Sequence, residues 1–231
     1  MEKKKIKNNR NLWFRCLKTF MKIFIHKPKY IYVGDKIQDG SLIISNHVGT
    51  SAPLALELYL NQPIRFWGAY EMNASLAKLY KYQTRVYYHE KKHWNLFGAR
   101  IFCLLASPLT WIFYRGLRLI STYPDHRLKT TIKESIDAIR NNESVVIFPE
   151  DSSEGYLDKL KGLFCGFALL ARTCYKQGID LSIHCAYYRK SDKTYIFDTP
   201  MKYSELVKKY HTQEELATAL CNRINELSDT Y

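Results

Sequence analysis

Glycine and proline are sparse, ten and seven residues in a chain of 231, beside eighteen Tyr and eleven Phe. That balance excludes a collagen-like, fibrous or low-complexity protein. The six cysteines, at 16, 103, 165, 174, 185 and 221, have no CxxC or CxxxC spacing. A disulfide framework is therefore not expected, and the thiols read as reduced, cytoplasmic core residues. No cleavable signal peptide is evident, because the basic start runs into a segment interrupted by Arg15, Lys18 and Lys22. Internal repeats and dividing linkers are lacking too, so one α/β domain over 30–231 is expected behind a basic amphipathic segment, 1–29. Acidic residues are in deficit: 22 Asp and Glu against 35 Lys and Arg, for a formal charge of +13.

The excess charge is concentrated. The first thirty residues hold eight Lys, two Arg and one Glu, so a polyanionic partner meets the N-terminus first. From Asn9 to His26 the pattern is helical, and Pro28 ends it. Trp13, Leu17, Phe20 and Phe24 fall within roughly 60° at 100° per residue, with Arg15, Lys18 and Lys22 opposite. With Phe14 beside them, these residues predict a helix in the membrane interface, aromatics inward and Lys18 and Lys22 toward anionic headgroups. The basic run Lys3 to Lys7 adds attraction. The alternative is a helix that packs this face on its own core.

Short apolar runs then alternate with longer amphipathic stretches. Strands are predicted at Tyr30–Val33, Ser41–Ser45, Ile64–Trp67, Arg85–Tyr88, Val145–Phe148, Leu181–Ala186 and Tyr195–Phe197. Helices are predicted at Pro53–Leu60, Asn73–Tyr82, Trp94–Tyr114, Asp125–Asn141, Leu157–Lys176 and Glu214–Leu227. Such alternation implies an α/β fold, a mixed and mostly parallel sheet flanked by helices. Leu96 to Tyr114 is nearly long enough to span a bilayer, but Arg100 and Pro108 interrupt it. A buried or membrane-dipping helix pair fits this segment better.

Two polar clusters follow buried strands directly. Ser41-Leu42-Ile43-Ile44 leads into Ser45-Asn46-His47, and Val145-Val146-Ile147-Phe148 leads into Pro149-Glu150-Asp151-Ser152-Ser153. Sites in α/β sheets collect beyond the carboxyl ends of strands, where helix N-termini offer N–H donors. A His at one tip and carboxylates at another can form a general base and its orienting acid; the alternative is a capping His beside solvated acids.

Ser-Asn-His after an apolar strand, followed about a hundred residues later by Phe-Pro-Glu after another, resembles the PlsC-like glycerolipid acyltransferases, the lysophosphatidic acid acyltransferase superfamily. The resemblance spans about Tyr30 to Asp198. It implies a glycerol-phosphate acyltransferase-like fold and an N-terminal interfacial helix. The implied reaction moves a fatty acyl group from acyl-CoA or acyl-carrier protein, as co-substrate, to a lysolipid hydroxyl. It implies no other cofactor and no metal, and a place on the cytoplasmic face of the membrane. In the family's first motif the His, here His47, is general base, the preceding Asn is Asn46, and an Asp orients the His. Ala52 stands at that Asp position. Asp151-Ser152-Ser153 stand where the third motif has Gly-Thr-Arg, and Ser121-Thr122 replace the Asp-Arg of the second, which starts at Gly116. Asp151, with Glu150, is thus the candidate to orient His47. Asn46, Ser51, Ser152 and Ser153 are candidate substrate contacts, and Arg118 or Arg127 candidate substitutes for the missing Arg.

Three other readings compete. His89-Glu90-Lys91-Lys92-His93 is a literal HExxH, the metal-binding signature of zinc peptidases, with no clear third ligand downstream. Ser75-Leu76-Ala77-Lys78 matches SxxK without a following Ser-Asp-Asn, and reads as a helix surface. Aromatics interleaved with cations, as in Tyr80-Lys81-Tyr82, fall on core elements, so packing is expected there and no nucleic-acid partner. Within the resemblance, the rival to an enzyme is a lipid-binding or scaffold member of the same fold.

Overall fold

The computed structural model describes residues 10–150 and 157–231. Eight strands form one mixed sheet: β1 (Lys29–Tyr32), β2 (Leu42–Ser45), β3 (Ile64–Ala69), β4 (Ile120–Thr122), β5 (Ser144–Ile147), β6 (Ser182–Arg189), β7 (Thr194–Phe197) and β8 (Met201–Lys202). The order is β1-β7-β6-β2-β5-β3-β4, with β8 beside β6; among these strands β6 alone pairs antiparallel, with β7 and β8. The protein is an α/β structure with a mixed, mostly parallel sheet flanked by helices.

β2 (Leu-Ile-Ile-Ser) and β5 (Ser-Val-Val-Ile) sit at the centre and are buried throughout. A parallel strand covered on both faces needs apolar side chains at every position, which explains runs without alternation. Successive residues still part to opposite faces. Leu42, Ile44, Val145, Ile147 and Ile183 meet helices α6 (Leu128–Arg140), α7 (Gly166–Lys176), α8 (Tyr203–Lys209) and α9 (Gln213–Thr230). Ile43, Val146, Phe66, Tyr195 and Phe197 pack with α1 (Leu12–Phe24), α2 (Ser51–Tyr59) and the end of α5 (Leu96–Leu117).

The sequence pattern and the structure part at several places. Arg85–Tyr88 is not a strand but lies in a π-helical segment, Gln83–Lys91, that continues α4 (Leu76–Tyr82) beyond the short α3 (Tyr70–Asn73). Its β-branched and aromatic residues mimic a strand, but Gln83 and Thr84 are buried against α5, where the Ser107 hydroxyl meets Gln83 Oε1 at 2.7 Å. The helix expected from Leu157 begins only at Gly166. The chain before it is held by a bridge between Glu150 and Leu163 and by the Phe164 N–H on the Pro149 carbonyl at 2.8 Å. β4, β8 and α8 carried too few residues to register as patterns.

α1 shows three faces. Phe14 is wholly buried, its ring 5.4 Å from that of Phe113 on α5, so it is a core residue and not the expected membrane contact. Lys18 is not a headgroup contact either: its ammonium meets Glu57 of α2 at 2.9 Å. Leu17 is half-buried against the core, while Lys22 is exposed and lies over the Tyr59 ring. Trp13, Phe20 and Phe24 stay exposed.

The buried Phe14 explains a glycine. A Cβ at Gly116 would overlap the Phe14 ring. Gly116→Ala is therefore expected to push Phe14 and α1 off α5 and to cost about 1–3 kcal/mol. A lowered urea midpoint would register that cost.

Candidate functional site at the carboxyl edge of the sheet

β2 and β5 are adjacent and parallel, so His47 and Glu150 emerge at the same edge of the sheet. The chain leaves β2 through a sharp turn in which Val48 and Gly49 both have positive φ, 42° and 64°. Gly49 adopts this freely, but a β-branched Val48 does so at a cost of order 1–3 kcal/mol, and such strain gathers at functional sites. The turn delivers the chain into α2.

Asn46 holds the base of this turn. It is fully buried; its amide donates to the Tyr188 carbonyl at 3.0 Å and its Oδ1 accepts the Tyr188 N–H at 2.7 Å. A side chain spent on both backbone groups of β6 positions its neighbour and does not face a substrate, the role expected for it. Ser45 adds a buried hydroxyl contact to Tyr195 at 2.7 Å. His47 then stands with its ring edge-on to Phe148, centroids 4.9 Å apart.

Glu150 closes the arrangement. Its Oε2 accepts the backbone N–H of His47 at 2.9 Å, and Oε1 accepts that of Leu157 at 3.3 Å. The carboxylate thus fixes the two strand tips together through the main chain of His47. Burial pushes the Glu150 pKa up, against the two N–H bonds and the positive charge of Lys91. Burial also lowers the His47 pKa to about 4, helped by the same Lys91. His47 is therefore a neutral imidazole at ordinary pH. Lys91, inside the HExxH string, went unnoticed in the sequence as a contributor to this site. Its only signal was its place in that string, three residues after the predicted strand Arg85–Tyr88, where the structure has the end of the π-helical segment.

Neither a scan against protein-family models nor a search of curated proteins returns a match for this chain.

The other candidate residues separate. Ala52, the second residue of α2, is fully buried in the core. Ser51 is the first residue of α2, close in sequence to the turn. Asp151, Ser152 and Ser153 lie outside the described residues. Arg118 caps α5, and its guanidinium lies 3.7 Å from Glu143, at the start of β5. That is the opposite edge of the sheet, which removes Arg118 as a phosphate contact at His47. Arg127 lies at the correct edge, beyond β4. It is bound to Asp125 at 2.7 Å and stacked over Tyr123 and Tyr70, three strand positions from β2, roughly 14 Å. A cavity of about 310 Å³, lined by Arg10, Lys18, Glu57 and Glu143, belongs to the opposite edge and does not include His47.

The HExxH residues do not form a metal site. His89 Nδ1 meets the Trp94 carbonyl at 2.8 Å and His93 has a left-handed backbone, φ 56°. No group of three His, Cys, Asp or Glu able to hold a metal occurs among the described residues. The one-turn α-helical spacing that makes this motif a zinc site is lost in a π-helical segment followed by a turn.

Two consequences are measurable. Glu150→Gln retains size but turns an NH₂ toward one of two N–H donors. A loss of about 1–3 kcal/mol in urea unfolding is expected. The second concerns pH. His184 on β6 is fully buried, and burial lowers its pKa against the pull of nearby Asp198. For His47 and His184 the folded pKa lies below the unfolded value near 6.5. The unfolded chain then binds more protons as pH falls, so their contribution is complete above about pH 6.5 and is lost as pH falls through each folded pKa, about 4 for His47, at up to about 1.4 kcal/mol per pH unit for each. Glu150, with its raised pKa, opposes this more weakly. The urea midpoint of a His184→Leu variant should vary less between about pH 7 and pH 5 than that of the wild type.

Proposed function

We propose that the protein is an O-acyltransferase of the PlsC-like type. It moves a fatty acyl group from acyl-CoA or acyl-carrier protein to the hydroxyl of a lysophospholipid or related glycerolipid at a membrane surface. The observation that carries this reading is the junction at the carboxyl edge. His47 is neutral, set on a strained turn, and bonded through its own backbone N–H to Glu150 on the neighbouring strand.

In the proposed reaction, His47 takes the proton of the acceptor hydroxyl as its oxygen attacks the thioester carbonyl. The tetrahedral intermediate collapses, the C–S bond breaks, and the leaving thiolate takes the proton back from the imidazolium. Backbone N–H groups at the start of α2 stabilise the oxyanion. A base with a low pKa is available at all ordinary pH values but intrinsically weak, and Glu150 positions it by holding the main chain of His47. α1 sets the enzyme on the cytoplasmic face of an anionic membrane through Trp13, Phe20 and Phe24.

The second reading, a lipid-binding scaffold, is favoured by Ala52, whose packing leaves no carboxylate at the family's position. A panel of labelled acyl-CoA and acyl-carrier protein donors with vesicle-borne lysolipids separates the two. The enzyme yields a labelled two-chain lipid with at least one donor and acceptor, whereas the scaffold binds lipid and yields none.

A further inference from the structure

The exposed apolar surface is larger than α1 alone supplies. On α5, Phe97, Ile101, Leu104, Leu105, Leu109 and Ile112 are exposed, with Phe97 at 74%, Leu105 at 75% and Leu109 at 72%. Their spacing keeps them on one side of the helix. The other side is docked: Ala99, Cys103 and Ser107 are buried, and Ser107 is bonded to Gln83 of the π-helical segment. Phe14, wedged against Phe113 and Gly116, joins the start of α1 to the end of α5. The exposed Leu12, Trp13, Phe20, Ile23 and Phe24 therefore belong to a helix fastened to α5. Two exposed apolar helix faces on helices joined at Phe14 mark a docking surface on a globular protein.

Charge says what docks. Arg100 and Arg115 are exposed on α5, Arg15 and Lys22 on α1, and Lys78, Lys81 and Arg85 on the α4–π segment packed beside α5. Exposed acid is scarce on these helices, with Glu90 at the far end of the π segment. Apolar residues flanked by cations complement an anionic leaflet.

The same cations decide the orientation. α5 is long and apolar enough to cross a membrane. To cross, it would shed its bonded neighbour or carry Lys78, Lys81 and Arg85 into hydrocarbon, and each cation at mid-bilayer is costly. Lying flat, α5 sinks its free side and leaves its bonded side on the protein.

We propose that the joined outer faces of α5 and α1 form a docking surface for an anionic lipid bilayer, with α5 lying in the plane of the leaflet. This extends the membrane role given to α1 and is independent of the chemistry at His47. On such a surface α5 supplies much of the buried apolar area.

The test is vesicle co-sedimentation of the full chain, using phosphatidylcholine vesicles with and without phosphatidylglycerol. A Leu104→Ser/Leu105→Ser/Leu109→Ser variant, with α1 intact, is expected to lose at least about tenfold in partitioning to anionic vesicles. Its circular dichroism and urea midpoint should match the wild type, since the three residues are exposed. Partitioning of wild type should fall with added salt, and His47→Ala should partition as the wild type. Unchanged partitioning of the triple variant overturns the proposal. So does a wild-type dimer that the triple substitution makes monomeric without altering vesicle binding, because a second copy then covers the face. Resistance of the wild type to alkaline extraction, with labelling at both ends of α5 from opposite sides, overturns the in-plane orientation.

Discussion

His47→Ala is expected to lower acyl transfer by about 10²–10⁴-fold, the range that a positioned general base contributes. The loss should fall on kcat, with KM for the acceptor nearly unchanged, because in the proposed reaction the imidazole acts on the proton moved in the transition state and not on the lipid chain. Folding should be little affected. The turn is held by the Asn46 amide on β6 and by the Glu150 carboxylate on the His47 backbone N–H, and both bonds survive removal of the imidazole. Glu150→Gln disturbs the turn and leaves the ring in place, so it should lower kcat and the urea midpoint together. That contrast separates the residue meeting the substrate from the one positioning it.

The largest stability loss is expected far from this edge, at Glu57→Ala. Glu57 is 2% exposed on α2 and receives Arg10 at 2.7 Å and Lys18 at 2.9 Å, themselves 8% and 17% exposed. Arg10 also donates to the Ile64 carbonyl at 3.0 Å and to that of Leu117, so the cluster ties α1 to α2, β3 and the end of α5. Removing the carboxylate leaves two largely buried cations facing each other. Breaking a buried pair in this way costs about 3–5 kcal/mol. Urea unfolding should show that loss, while an exposed control such as Asp229→Ala, whose partner Lys159 is also solvated, should move the midpoint by less than about 1 kcal/mol. If Glu57→Ala unfolds with the wild type, α1 is not fastened by this cluster.

The sheet was legible where burial left a strong pattern. The runs Leu42–Ile44 and Val145–Ile147 are apolar at every position, and they are the central parallel strands. The juxtaposition of His47 with Glu150 followed from where these runs end. The bond between them did not follow, since nothing in a sequence tells whether a carboxylate meets an imidazole or a backbone N–H. Arg85–Tyr88 misled because strand propensity reflects side-chain type, whereas packing of Gln83 and Thr84 on α5 decides the local backbone. Glu57 gave no signal at all, being a single acid in a short helix whose partners lie 47 and 39 residues away. Phe14 lies in the segment whose pattern predicts a membrane-interface helix. Its actual direction depends on the close approach that Gly116 permits, a contact about a hundred residues distant in the chain.

A neutral imidazole at His47 is proposed to drive acyl transfer, and one comparison tests this directly. Labelled acyl donor and lysolipid-bearing vesicles are incubated with wild type and His47→Ala at about pH 7.5 and about pH 5.5, and the two-chain product is counted. With a pKa near 4, His47 is still neutral at the lower pH, so wild-type turnover should hold within about twofold while the variant stays at background in both. A tenfold fall of the wild type between the two pH values would contradict a neutral His47 base, and so would equal product from both proteins.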